Sequence, residues 1–179
     1  MRPLCPGIVR SGSVDGLTSK GWASAVEYGI RTVIDLRNED EYGTSTPPAE
    51  ITRVRLPLDQ KSDRAFWNIW ENTPAFGTPL YYQPHLERFP EASAAVIKAI
   101  AHAAPGQVLF HCGAGRDRAG QIAMLVLAVL GWSPTEIGAE YLLSYGHNED
   151  DEMLKAYLVS QNTTAEAELD RYILGKTAE

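Results

Sequence analysis

Residues 108–120 read VLFHCGAGRDRAG, and an apolar run from Gln121 to Leu130 follows directly. Val108–Phe110 form a short unbroken apolar segment, which is typical of a strand buried on both faces. The run after it is long enough to form a helix. The sequence therefore predicts a glycine-rich loop between the end of a buried strand and the start of a helix.

A loop in this position is expected to bind an anion. Glycine-rich turns and helix N-termini direct several main-chain N–H groups to one point, with the positive end of the helix dipole behind them. Cys112 opens the loop and Arg118 closes it, so a thiol and a two-pronged guanidinium can face one oxyanion, for which phosphate is the expected identity. A cysteine at such a point is expected to have its pKa lowered from about 8.5 to roughly 3.5–7.5, which favours the nucleophilic thiolate.

The same residues resemble a known signature. His111–Arg118 matches the His-Cys-x5-Arg loop of cysteine-dependent protein tyrosine phosphatases. It is more narrowly similar to the loop His-Cys-x-x-Gly-Lys-Asp-Arg-Thr-Gly of the bacterial tyrosine/serine phosphatase family. Further segments resemble that family's pattern in its order: Val9–Gly12, Gly29–Arg37 and Glu140–Leu143. The sequence departs from the pattern at Arg116, where the family usually has lysine, and at Ala119, where it usually has threonine or serine.

The resemblance implies a cysteine-phosphatase-like α/β fold and hydrolysis of phosphomonoesters through a phosphocysteine intermediate. Cys112 is then the nucleophile and Arg118 the phosphate clamp. The residues implied in phosphate binding are Gly113, Ala114, Gly115, Arg116, Asp117 and Arg118. A phosphorylated protein is the expected partner, with phosphotyrosine as the main substrate and phosphoserine, phosphothreonine or phosphoinositides as further candidates. No metal and no cofactor is expected.

Length and composition are those of an ordinary soluble globular protein. The 179 residues suit one domain over 1–179, and 44% of them are hydrophobic and 22% charged. A net charge of −7 argues against nucleic acid or an anionic membrane as the main partner, because both select basic surfaces. Membrane insertion is not expected, since no apolar run is long enough to cross a bilayer. With no signal peptide evident and only Cys5 and Cys112, we expect a reducing, cytoplasmic location. The sequence gives no sign of the oligomeric state.

The rest of the chain predicts alternating strands and helices. Strands are predicted at Ile8–Arg10, Arg31–Leu36, Glu50–Leu58 and Gln107–Phe110. Helices are predicted at 19–28, 62–71, 91–103, 121–130, 134–145, 149–160 and 163–173. Thr18 and Ser133 are suited to begin helices as N-caps, and Gly29 suits a helix end. Because crossover helices join parallel strands, we expect a small central, mostly parallel sheet flanked by helices, with the site at the carboxyl ends of its strands.

Aromatic residues are concentrated in Asp59–Pro90, the least regular part of the chain. They are Phe66, Trp67, Trp70, Phe76, Tyr81 and Tyr82. Two interpretations stay open. The rings complete the hydrophobic core, or they form a lid or rim over the phosphate site.

A phosphomonoesterase also needs an acid that protonates the leaving oxygen. Asp59 follows a predicted strand, which is where the acid lies in related dual-specificity phosphatases. Asp117 matches the aspartate of the family loop, but it can instead be a helix N-terminal carboxylate that the loop N–H groups hold ionised. Asp63 is a weaker candidate. Asp35 reads as the structural partner of Arg37 at a strand end. If neither Asp59 nor Asp117 is the acid, the remaining candidates are Asp63, Asp35 and a bound water.

Three more residues bear on the activity. His111 is expected to orient the loop by hydrogen bonding rather than to transfer protons, and Arg116 either adds positive charge at the loop rim or forms a surface ion pair. Ala119 lacks the hydroxyl that helps the cysteine leave in the family, which favours an alternative function as a catalytically weak module that binds phosphorylated ligands. Arsenate reduction or sulfur transfer is less supported, because no resolving cysteine lies near Cys112 in the sequence.

Overall fold

The computed structural model describes residues 1–71 and 76–144 of the chain. The predicted helices at 149–160 and 163–173 lie outside these residues. Within the described ranges, no helix combines the length and the apolar character that crossing a membrane requires.

Five strands and six α-helices make up the described part of the chain. The strands are β1 (Arg2–Cys5), β2 (Ile8–Ser11), β3 (Ile30–Asp35), β4 (Thr52–Arg55) and β5 (Gln107–His111). The helices are α1 (Ser19–Glu27), α2 (Arg64–Trp70), α3 (Tyr82–Arg88), α4 (Pro90–Ala101), α5 (Asp117–Val129) and α6 (Pro134–Leu142). Short 3₁₀ turns lie at Glu39–Glu41 and Pro79–Tyr81.

The strands form one mixed sheet in the order β1-β2-β5-β3-β4. Only β1 runs antiparallel to its neighbour, and the other pairs are parallel. The register places Ser11 and Asp35 on either side of His111, so β2, β5 and β3 end at the same level. This confirms the predicted α/β fold and brings the carboxyl ends of three parallel strands to one edge of the sheet.

Local sequence signals set several element ends as predicted. The Thr18 side chain accepts a hydrogen bond from the Gly21 N–H at 3.2 Å, and Gly29 ends α1 in a left-handed conformation with φ of +97°. Ser133 and Glu136 form the predicted capping box of α6. These caps satisfy main-chain groups that a helix end otherwise leaves unpaired.

Strand β1 and the first turn of helix α5 were not predicted. Strand β1 is short, and it exists through its antiparallel pairing with β2. Helix α5 begins at Asp117 and not at Gln121, so Arg118 lies in its first turn. Glycine disfavours a helix, so Gly120 made this earlier start hard to predict. Its small size is required by packing, because a Cβ there would lie 2.6 Å from the Tyr82 hydroxyl.

Buried side chains pack on both faces of the sheet and beyond its edge. One face packs against α4 and α5 through Ile34, Phe110, Val96, Ile122 and Leu127. The other face packs against α1 through Val9, Val33, Leu109 and Trp22. A third group, here called the aromatic cluster, consists of Phe66, Trp67, Tyr81, Tyr82, Phe89 and Tyr141. Its burial confirms that most of the rings between residues 59 and 90 complete a core.

Candidate active site

The glycine-rich loop spans the gap between β5 and α5, as predicted. Gly115 adopts a φ of +76°, and a Cβ there would lie 2.5 Å from the Gly12 nitrogen and 2.6 Å from the Ser11 carbonyl carbon. Only glycine suits both constraints. The Ser13 N–H donates to the Gly113 carbonyl at 2.7 Å, which ties the loop to the segment after β2. The loop is therefore held in shape by the neighbouring strand end.

Arg10, which is only 2% exposed, supports the loop from the sheet side. Its Nη2 donates to the Gly115 carbonyl at 2.8 Å and to the Arg116 carbonyl at 3.3 Å. Its Nη1 pairs with Glu140 of α6 at 2.7 Å, and Arg2 pairs with the other oxygen of that carboxylate at 2.7 Å. Two loop carbonyls are thus occupied by a buried cation. Val9–Gly12 and Glu140–Leu143 resemble the family pattern in sequence, but the sequence alone assigned no role to Arg10 or Glu140.

Replacing Arg10 with methionine is expected to lower the free energy of unfolding by about 3 kcal/mol, because it leaves a buried carboxylate and two carbonyls without their donor. We take the low end of the range since Arg2 still pairs with Glu140. Urea unfolding measures the change. Arg88→Met is the control, because Arg88 forms an exposed ion pair with Asp63 and its loss should have little effect. Equal losses in the two variants would contradict the supporting role of Arg10.

Cys112 lies at the start of the loop and is 2% exposed. Burial raises the pKa of its thiol above the ordinary value, although the Arg118 charge and the N–H groups of Ala119 and Gly115 favour the thiolate. The expectation of a lowered pKa is therefore wrong for this structure. The reason is that burial disfavours the charged thiolate by more than Arg118 and these N–H groups favour it.

Arg118 forms a two-pronged ion pair that the sequence did not reveal. Its Nη1 lies 2.5 Å from Glu41 Oε2, and its Nη2 lies 2.6 Å from Glu41 Oε1. The same carboxylate accepts from the Asn38 N–H at 3.0 Å, which fixes it at the end of a 3₁₀ turn. One sequence feature could have indicated that Glu41 is held in place: the spacing of Asn38 and Glu41 is that of a capping box within a charged loop.

Two carboxyl groups accompany Arg118, of which Asp59 is buried and Asp117 half-buried. Asp59 Oδ2 lies 3.6 Å from the Arg118 Nη1, and burial raises the pKa of Asp59. Asp117 Oδ2 accepts a hydrogen bond from the Tyr81 hydroxyl at 2.6 Å. Burial, with a further contribution from the like charge of Asp59, raises the pKa of Asp117 to about 7. Both leading acid candidates can therefore hold a proton at a pH where an ordinary carboxyl is ionised.

This finding corrects the expectation that loop N–H groups hold Asp117 ionised. A tyrosine hydroxyl is the partner of its side chain, and the Tyr82 hydroxyl donates to its main-chain carbonyl at 2.8 Å. Tyr81 and Tyr82 belong to the aromatic cluster. Part of that cluster thus adjoins the candidate site as well as completing a core.

The weaker acid candidates are held in ion pairs. Asp63 caps α2 and its Oδ2 lies 2.8 Å from Arg88 Nη2. Asp35 accepts from the Arg37 Nε at 2.9 Å and from its Nη2 at 2.8 Å, as the strand-end interpretation predicts. Both pairings lower the pKa of the carboxyl, which favours the ionised form over the proton-donating one.

His111 is fully buried at the end of β5. Its Nδ1 lies 3.1 Å from the Cys112 carbonyl oxygen, and its Nε2 lies 3.7 Å from Asp35 Oδ2. Burial lowers the pKa of the imidazole, which favours its neutral form. This environment suits a residue that orients the loop. Arg116 is the N-cap residue of α5, and its charge favours the ionised form of Asp117.

Residues 1–71 and 76–144 contain no cluster of three or more histidine, cysteine, aspartate or glutamate side chains that could hold a metal ion.

Known proteins resemble this chain in sequence and in fold. Residues 6–176 match the model of the tyrosine phosphatase family. A tyrosine-protein phosphatase of Nostoc commune is 29% identical over an alignment of 152 residues, which covers 76% of this chain and 47% of that protein. The chain therefore spans about half the length of this curated relative.

Two solved structures extend the comparison. A candidate phosphatase (DUF442) of Shewanella putrefaciens CN-32 is 15% identical with a TM-score of 0.50, covering 94% of this chain and 88% of that one. TpbA of P. aeruginosa, solved in complex with pTyr, is 20% identical with a TM-score of 0.44, covering 91% of this chain and 83% of that one.

Proposed function

The chain belongs to the tyrosine phosphatase family, and from this premise we propose that it hydrolyses phosphomonoesters through a phosphocysteine intermediate. The observation that carries the proposal is that one loop joins a buried thiol at Cys112 to a guanidinium at Arg118 whose charge favours the thiolate. A binding site for phosphate alone needs no nucleophile. Two carboxyl groups with raised pKa values, Asp59 and Asp117, complete the set of groups that the reaction requires.

Cys112 reacts as the thiolate, after its thiol proton has passed to solvent. In the first step the thiolate attacks phosphorus, so that an S–P bond forms while the bond from phosphorus to the leaving oxygen breaks. The leaving oxygen takes the proton of a buried carboxyl group. Arg118 exchanges the Glu41 carboxylate for the substrate and donates two parallel N–H bonds to the phosphoryl oxygens, and the loop N–H groups add further donors where negative charge develops.

In the second step, water attacks the phosphorus of the phosphocysteine and the S–P bond breaks. The carboxylate left by the first step now accepts a proton from the water, and the thiolate of Cys112 is restored as inorganic phosphate leaves. The cycle consumes one water and one phosphomonoester, and it returns every group on the protein to its starting state.

Phosphotyrosine in a protein is the proposed main substrate, with phosphoserine, phosphothreonine and phosphoinositides as further candidates. The support is the depth of Cys112, since a nucleophile that is 2% exposed is reached more easily by a phosphate at the end of a long aryl side chain than by one close to the main chain.

The direct test is hydrolysis of p-nitrophenyl phosphate in the presence of a metal chelator, followed by a panel of phosphopeptides and phosphoinositides. We expect turnover that the chelator does not reduce. No turnover of any substrate by folded protein would overturn the proposed function.

A binding module is the second candidate, because Ala119 carries no hydroxyl to assist breakdown of the phosphocysteine. Its N–H points to the Cys112 sulfur, and its side chain is fully buried. The same assay separates the two functions. Binding of phosphotyrosine without turnover, or with one turnover per protein molecule, would favour the binding module.

We assign the proton donor to Asp59 and keep Asp117 as the alternative. Within the described residues, Oδ1 of each carboxyl group has no hydrogen-bond partner, but Asp117 Oδ2 already accepts from Tyr81, whereas Asp59 Oδ2 faces Arg118 Nη1 at 3.6 Å. Asp59→Asn is expected to lower the rate on substrates with poor leaving groups by about 10²–10⁴ and to spare an activated aryl phosphate. Steady-state kinetics on a series of aryl phosphates measures this dependence.

Asp117→Asn is the matched variant, and it should weaken all substrates alike. The reverse pattern would move the acid to Asp117. The wild-type pH profile gives an independent sign: the acid works only while protonated, so the rate on poor leaving groups falls as the pH rises through its pKa. A fall near pH 7 that Asp117→Asn removes would also identify Asp117, whose pKa is about 7.

A further inference from the structure

His85 is a fully buried histidine that the reaction above does not use. It lies on α3, and its ring centroid is 5.1 Å from that of Phe89, 5.8 Å from that of Tyr81 and 6.0 Å from that of Phe66. A polar ring among aromatic rings loses its hydration, and burial lowers its pKa to about 4. The imidazole is therefore neutral at neutral pH, with one nitrogen that donates and one that accepts.

The neighbours of His85 decide which nitrogen carries the proton. Gln121 Nε2 lies 3.0 Å from His85 Nδ1 and 3.2 Å from Ser93 Oγ, and all three side chains are buried. In this orientation of the Gln121 amide, which leaves its Oε1 without a partner within the described residues, the NH₂ group donates and Nδ1 accepts. The hydrogen of the neutral ring then lies on Nε2.

This Nε2–H faces the carboxyl group that we assign as the proton donor. His85 Nε2 lies 3.8 Å from Asp59 Oδ1. Both atoms are buried, and within the described residues neither has a hydrogen-bond partner. The main-chain carbonyl of Leu58 is another acceptor close to the ring. A buried donor and a buried acceptor that face each other unpaired are costly, and a shift of about 1 Å would join them.

The two oxygens of Asp59 have different surroundings. Oδ1 faces His85, whereas Oδ2 lies 3.6 Å from Arg118 Nη1, on the side of the phosphate loop. A carboxyl group that can turn freely would present either oxygen to the substrate. A donor fixed behind Oδ1 removes that freedom.

Resting on the proposed function, we propose that His85 is a positioning residue for Asp59. Its Nε2–H donates to Asp59 Oδ1 during the reaction, so that Oδ2 is the oxygen that gives its proton to the leaving group and later accepts one from water. Ser93 and Gln121 hold the ring in the required tautomer and orientation.

The test compares His85→Phe, which removes the donor and keeps a flat ring, with His85→Gln, whose amide can place an N–H near the position of Nε2. We expect His85→Phe to lower kcat/KM about tenfold for substrates with poor leaving groups and less than twofold for an activated aryl phosphate. His85→Gln should restore most of the loss. In an Asp59→Asn background, His85→Phe should have no further effect on this leaving-group dependence.

Phe89→Leu is the matched control, because it alters the same cluster without removing a polar group. If His85→Phe lowers both substrate classes equally, as a packing defect does, the proposal is wrong. An undiminished effect in the Asp59→Asn background would also overturn it, because His85 would then act through another group.

A measurement without turnover separates this proposal from the proposed function. The ¹⁵N signals of the His85 ring should show a hydrogen on Nε2 at neutral pH, and Asp59→Ala should shift the Nε2 signal. A hydrogen on Nδ1, or no shift in the variant, overturns the positioning role even if the protein is an active phosphatase. With the expected signals and no turnover, the proposed function fails while the contact between His85 and Asp59 stands.

Discussion

Replacing Cys112 with serine is expected to abolish turnover while leaving the binding of phosphate esters intact. A serine hydroxyl stays protonated at neutral pH and is a weak nucleophile unless a base activates it. The anion-binding loop does not depend on the sulfur, since Gly115, Ser13 and Arg10 fix its backbone. We expect kcat to fall by about 10⁴ or more, which corresponds to about 5 kcal/mol in the barrier. Steady-state kinetics and calorimetric binding of a phosphotyrosine peptide measure the two effects.

Cys5→Ser is the control for this experiment, because Cys5 is the other cysteine and lies in β1, away from the loop sequence. It should behave as wild type. Mass spectrometry of acid-quenched wild-type protein should show a phosphorylated peptide that contains Cys112. Residual activity of Cys112→Ser within tenfold of wild type would contradict the covalent mechanism.

The glycine-rich loop could be predicted because its signals are local. Three apolar residues, a glycine-rich turn and a long apolar run follow one another within residues 108–130, and each favours one element. The strand register then determines the position of the loop. Ser11 and Asp35 pair with His111, so the loop lies at the edge of the sheet where the parallel strands end. The first step uses local signals alone, whereas the second joins strands from distant parts of the chain, whose parallel pairing the crossover helices predict.

The partners of the loop could not be predicted, because they are distant in the sequence. Glu41 and Arg118 are 77 residues apart, and Arg10 and Glu140 are 130 apart. In the sequence, Glu41 is one of several acidic residues in a loop. Arg10 is an arginine in a strand, where a half-exposed position is the ordinary expectation. Their burial and pairing follow only from the packing of the whole domain.

The predicted protonation states of Cys112 and Asp117 were wrong for a related reason. Spacing indicates which charges lie near a group, but the cost of burial depends on everything packed around it. For Cys112 this cost exceeds the effect of Arg118, and it raises the pKa that the motif predicts to be low. For Asp117 it exceeds the effect of the Tyr81 hydrogen bond. The short helix α3, which carries His85, was also not predicted, because it lies in an irregular segment rich in aromatic residues.

Arg118→Lys is expected to lower kcat/KM by about 10²–10³ although the charge is kept, which corresponds to about 3–4 kcal/mol in the barrier. The rate depends on the planar, two-pronged shape of the guanidinium. Both terminal nitrogens of Arg118 reach the two oxygens of Glu41, at 2.5 and 2.6 Å, and the same geometry fits two phosphoryl oxygens. A single ammonium cannot make two parallel N–H bonds, and it would remain between Glu41 and Asp59 as a point charge.

Kinetics on the folded variant measure the loss for activated and poor leaving groups, and both should fall alike because the phosphoryl group is common to them. Arg64→Lys is the control, since Arg64 is exposed on α2, where it pairs with Glu71 and Asn68 and not with any residue of the candidate site that the structure describes. A loss below tenfold in Arg118→Lys would show that charge alone is required. A loss confined to poor leaving groups would instead mean that Arg118 acts on the acid Asp59, and the clamp would have to be sought among the N–H groups of the loop.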